Sequence, residues 1–188
     1  MSSTNPRPNI KPLPFTILEK DFPEDPNKKF FLLSCASWDS LAESIQPSSK
    51  HFGLLIGADA RNIPDANVRA LAEGCIGKGL AYLCAWGPDC ERVHDLFDEE
   101  DRLKELHRKR DPRWKADEDV LMTTWHAHEP LSYAVWHFTY CAVPTSYFSS
   151  DCDDWIVAII GNQEWENEVR NEFARMYRER QQTQDSEK

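Results

Sequence analysis

The sequence predicts an α/β fold: a single three-layer, flavodoxin- or Rossmann-like domain with a five-stranded, mostly parallel sheet in the order 2-1-3-4-5. Apolar runs at residues 30–35, 52–57, 80–85 and 155–160 (FFLLSC, FGLLIG, LAYLCA, WIVAII) have the continuous character of strands buried on both faces. Each is followed by a segment with helical apolar spacing, and this alternation implies right-handed crossovers with helices on both faces of the sheet. A chain of 188 residues fits one domain with a sizeable core and falls short of an eight-stranded barrel.

Residues 1–28 hold six of the twelve prolines, each of which removes a backbone donor and biases its predecessor towards extended geometry. They read as an arm in which residues 15–18 (FTIL) dock as a short edge strand. The α/β domain spans 29–180. After the first strand, Ser37 or Asp39 caps a helix with Trp38, Leu41, Ala42 and Ile45 on one face, stopped by Pro47. After the second, Asp65 caps a helix with Val68, Leu71, Ala72, Cys75 and Ile76 inside, closed by Gly77 and Gly79. The third strand leads through Asp89 into a longer helix facing inward with Val93, Leu96, Phe97, Leu103 and Leu106. His94 and Asp95 sit on its solvated face, and a basic run at 104–110 suits its C-terminal dipole. Residues 111–119 form a polar connection. The fourth strand, 120–124, opens into a polar crook, Thr124-Trp125-His126-Ala127-His128-Glu129-Pro130. Pro130 suits the first turn of a helix carrying Leu131, Ala134, Val135, Phe138 and Cys141. The fifth strand leads to a last helix with Trp165, Val169, Phe173 and Met176 inside, ending in a disordered polar tail at 181–188.

The formal charge of −10 and a pI near 5.1 exclude a nucleic-acid backbone as the main partner, since such binding draws on clustered Lys and Arg. A basic protein or a small, nucleotide-like ligand fits instead. The six cysteines lack a CxxC pair or zinc spacing, and several lie in apolar patterns where a free thiol packs as a small hydrophobe. No signal architecture is present and no apolar run approaches the ~18 residues of a membrane span, so a reducing cytoplasmic compartment is expected.

Ligands of open α/β sheets bind outside the carboxyl ends of the strands. The loops at that rim carry Cys35, Ser37, Trp38, Asp59, Trp86, Asp89, Cys90, Trp125, His126, His128 and Glu129. Three roles are expected among them. His126, Asp89 and Cys35 are candidate catalytic residues, with His126 as the base for a Cys35 thiolate. Trp38, Asp59, Trp86 and Trp125 are candidate ligand-binding residues, because flat aromatics stack on bases or anchor partners; they also suit caps over the core. His126, His128 and Glu129, completed by Asp59 or Asp89, suit Zn or Mn, although His128 or Glu129 equally suits a helix cap. GxGxxG, GxxxxGK[ST] and GxSxG motifs are absent, and the residues specify no cofactor.

The strings AYLCAWGPDCERVHDLFDEE (81–100), TTWHAHEPLSYAVWHF (123–138) and FSSDCDDWIVAIIGN (148–162) resemble an uncharacterised family of small bacterial α/β domains. That resemblance implies a bacterial, soluble, single-domain protein and carries no activity. The layout is also similar to Toll/interleukin-receptor-type domains, in which a catalytic Glu lies beside a Trp-Cys element; Trp86, Cys90 and Glu91 echo it, on a different strand. The function expected is a non-enzymatic acidic binding module for a basic protein partner or small ligand, such as a bacterial immunity or defence accessory protein. The alternative is an enzyme acting on a nucleotide or related small metabolite at the rim, with metal assistance.

Overall fold

A computed structural model describes residues 15–19, 25, 27–108 and 120–186. Its strands are β1 (Phe15–Glu19), β2 (Lys29–Cys35), β3 (His51–Gly57), β4 (Leu80–Trp86), β5 (Met122–His126) and β6 (Cys152–Ile160). Its helices are α1 (Leu41–Ser44), preceded by a 3-10 turn at Trp38–Ser40, then α2 (Asp65–Gly77), α3 (Cys90–Arg108), α4 (Leu131–Tyr140), α5 (Ser146–Ser149) and α6 (Gln163–Ser186). The predicted α/β class and parallel core are present, but the sheet has six strands in the order β1-β2-β6-β3-β4-β5. β1, the edge strand expected in the arm, pairs antiparallel with β2; all other pairings are parallel.

The expected order therefore needs correction. The last strand does not stand at an edge; it inserts between β2 and β3, pairing with both along its length. Its composition explains why. Residues 155–160 contain no polar side chain, so an edge position would leave an apolar strand half uncovered, whereas β5 (MTTWH) carries two Thr and a His and tolerates the edge.

The path β2 to β3 to β4 to β5 advances in one direction, so right-handed crossovers place α1, α2 and α3 on one face. The return from β5 to β6 runs over the other face, which α4 and α6 cover. Two cores result. Leu41, Ile45, Val68, Leu71, Val93 and Phe97 fill the first. Phe30, Ala134, Phe138, Val169 and Phe173 surround Trp155 in the second, with the Trp155 ring 5.1 Å from Phe138 and 6.3 Å from Phe30. Gly53, register partner of Trp155 on β3, makes room for that ring: a Cβ there would stand 2.5 Å from the indole.

Several boundaries also shift. The fourth predicted strand, placed at 120–124, is β5 at Met122–His126, so Trp125 and His126 belong to the strand and the crook shrinks to 127–130. α6 continues to Ser186, through most of the segment expected to be a disordered tail. Leu103 and Leu106 are exposed because a 19-residue helix, about 28 Å long at 1.5 Å per residue, outruns the short strands beneath it. Cys141 is exposed at the end of α4, and all six cysteines are free. Among the described residues no helix is long and apolar enough to cross a membrane. The connection at 111–119 and most of the arm lie outside the described residues.

Candidate functional site

At the carboxyl rim, the loops after β3 and β4 are zipped together. Ala58 N donates to Trp86 O (3.1 Å) and Ala60 N to Pro88 O (2.9 Å). Gly87, at φ 110°, lets the chains touch, since a Cβ there would lie 2.3 Å from Ala58 O. Arg92, in the first turn of α3, then locks the pair. It donates to Asp65 Oδ1 (2.6 Å), Asp89 Oδ2 (2.7 Å), Ala60 O (2.5 Å) and Ile63 O (3.1 Å). Asp89 is thus bound in a structural ion-pair network. Asp59 is exposed and forked by Arg61 at 2.9 and 2.5 Å, whose hydrogen bonds hold its pKa below the usual carboxylate value. Asp59 is held by a two-pronged guanidinium contact and Asp89 by a single one through Oδ2.

The three tryptophans separate. Trp38 is buried in the first core and donates through Nε1 to Asn67 O (3.3 Å). Trp86, half-buried, donates to Glu129 O (2.9 Å) and meets Trp165 of α6 edge-on at 5.0 Å. Trp125 alone stays at the surface, 46% exposed, its ring 4.4 Å from His94. His94, expected on a solvated face, is instead buried: Thr123 Oγ1 lies 3.0 Å from its Nε2 and donates to Asp98 Oδ1 (2.7 Å), pinning α3 to β5.

Cys35 and His126 are not brought together. They end β2 and β5, with β6, β3 and β4 between them, so four strand spacings, about 19 Å, separate the strands. Burial pushes the Cys35 thiol up, away from the thiolate a nucleophile needs. Nor do the proposed metal ligands converge. His126 is buried while His128 and Glu129 are exposed; Glu129 Oε2 accepts from His128 N (3.2 Å), and backbone amides lower its pKa. Among the described residues no group of three or more His, Cys, Asp or Glu is arranged to hold a metal. Glu91 lies exposed in the first turn of α3, next to buried Cys90.

The companion of His126 is His137 of α4, with ring centres 4.8 Å apart and Tyr133 5.7 Å away. His126 Nε2 and His137 Nδ1 are buried without a hydrogen-bond partner, and desolvation pulls both imidazoles below their ordinary pKa. Outside this pair lies the largest anomaly of the surface. β5 and α4 together contain no Asp, Glu, Lys or Arg in a chain that is 29% charged. Tyr133 and Trp136 of α4 are 43% and 39% exposed, and Val120 and Met122 stand out beside Trp125 on the β5 edge. Tyr133, Trp136 and Tyr140 form a stripe with ring centres 5.7 and 6.0 Å apart. Among the described residues β5 pairs with β4 alone.

A family model described as a domain of unknown function, DUF7684, matches residues 30–177, well over half of the chain. The chain belongs to the DUF7684 family. A search of curated proteins returns no match to this sequence. The DUF7684 segment begins inside β2 and ends inside α6, so it contains the β5–α4 surface and leaves β1 outside.

In this DUF7684 chain, Tyr133, Trp136 and His137 received no role from sequence reasoning, because Leu131, Ala134, Val135 and Phe138 already supply a buried face for α4. The available signal was what surrounded that face: a helix apolar nearly all round belongs in an interior, and α4 lies on the outside of the sheet.

Proposed function

We propose that this DUF7684 protein is an acidic binding module that holds a basic partner protein on the surface formed by the β5 edge and the outer face of α4. One observation carries the reading: an uncharged, aromatic patch on a strongly acidic chain. Interface centres are depleted in charge and enriched in Trp and Tyr, while their rims stay polar. Here Tyr133 and Trp136 of α4 supply the centre; Glu129 and Glu168 lie at one end of that helix and Arg180 meets Tyr140 at the other, while Trp125 stands across the β5 edge against His94 of α3. A second copy of the same chain would set one molecule of charge −10 against another; a basic partner gains complementarity and faster encounter. The β5 edge also offers backbone donors and acceptors to an extended segment, which can add as a further strand. A bacterial immunity or defence accessory role fits this chemistry, in which an acidic cover neutralises a basic, nuclease-like protein.

The test is affinity capture from the native host with wild type and Trp136→Glu, followed by identification of the captured chains. A basic protein that is retained by wild type, lost from the variant and released by rising salt supports the reading. Retention that is unaffected by Trp136→Glu, or an acidic partner, contradicts it.

A further inference from the structure

We propose that a cavity of about 300 Å³ between the amino-terminal ends of β2 and β6 and the end of α4 binds a small carboxylate with an apolar body. The site lies at the opposite end of the sheet from the rim and touches the α4 stripe only at Tyr140.

Lys28, just before β2, carries it. Its ammonium sits 4.2 Å over the Trp155 ring and makes one long hydrogen bond, 3.4 Å to Ala142 O. Among the described residues no carboxylate forms a salt bridge with it. An ammonium has three donors, and a half-buried one is stabilised by an anion that takes those remaining. Burial lowers the Lys28 pKa, with Asp25 acting against that shift. The neighbouring Cys152 thiol is pushed up to about 12 by burial and stays protonated, so it offers no competing negative charge.

The walls decide the class of ligand. Val143 and Pro144 give the cavity a hydrocarbon side, Tyr140, Thr139 and Ser149 add hydroxyl groups, and its volume is at the small end of the range for ligand sites. A single ammonium beside Asp25 suits a singly charged carboxylate better than a doubly charged phosphate. Asp25, also on the lining, faces any α-ammonium group the ligand carries. Free carboxylic acids and α-amino acids therefore share the recognised chemistry.

Calorimetric titration of the full chain with 4-methylpentanoate, leucine and inorganic phosphate tests this. We expect one equivalent of 4-methylpentanoate or leucine to bind, and Lys28→Met to weaken binding by about tenfold or more, the loss of one charge-assisted contact. Val143→Trp, at an exposed position on the cavity wall, blocks the same binding without altering the melting temperature. Tighter binding of leucine, equalised by Asp25→Asn, assigns the amino-acid form; tighter binding of 4-methylpentanoate assigns the free acid. Absence of binding by both at millimolar concentration, a preference for phosphate, or unchanged binding in both Lys28→Met and Val143→Trp overturns the proposal.

Discussion

Gly53 and Trp155 show how one residue sets another. The indole lies across β3 where a side chain would otherwise stand, so Gly53→Ala must displace the largest residue of the second core. We expect a loss of about 1–3 kcal/mol, the range for overpacking, in denaturant unfolding. Gly74→Ala is the control: nothing lies within 4 Å of its added Cβ in α2, and the change stabilises by about 0.5–1 kcal/mol through helix propensity. Neither environment was legible beforehand, because a glycine inside an apolar strand looks the same whether or not a ring crosses it.

His126 and His137 carry a pH dependence. Both folded pKa values lie below the ordinary 6.5, so near and below that pH the unfolded chain binds more protons than the native one. Stability is therefore full above about pH 6.5 and falls as pH drops through the window between that value and the depressed folded pKa values. His51, buried against Phe148, adds in the same direction, while Glu129 moderates the effect at His126. Melting temperatures from pH 8 to 5 check this: the decline should be smaller in His126→Phe than in wild type, and an equal decline removes the assignment. The sequence marked His126 as notable, but its partner depended on which helix crosses β5, and that is a tertiary fact.

Among the elements, β5 and β6 carry the lesson about strand order. The strand segments and the inward faces of α2, and of α4 apart from Cys141, were readable from apolar spacing, and their buried residues are largely those expected. Order was not readable from alternation, because spacing describes faces and says nothing about neighbours. Polarity held the missing signal: the uniformly apolar β6 needs a neighbour on both sides, and the Thr-rich β5 does not. That error also carried the site astray: the expected order left one strand between those of Cys35 and His126, whereas three stand there. Native-state hydrogen exchange should find the slowest amides in β6 and β3 and faster ones in β1 and β5. Exchange from β6 as fast as from β5 would contradict the central placement.

At the scale of the molecule, charge and its local absence organise the surface. The −10 charge was evident from composition and pointed towards a basic partner. The uncharged patch was not, because α4 comes to lie beside β5 only in the folded chain, where His126 packs against Tyr133 and His137. Trp125→Ser and Trp136→Ser remove half-exposed rings, so each should lower folding stability by no more than about 1–2 kcal/mol while weakening partner binding.

Site-specific photo-crosslinking in the native host tests the binding surface most directly. A photoreactive residue in place of Trp136 should crosslink to a basic protein, and one in place of Glu73, on the far face of the sheet in α2, should not. Equal crosslinking from both positions, or crosslinks from Trp136 only to another copy of the chain, would contradict the account.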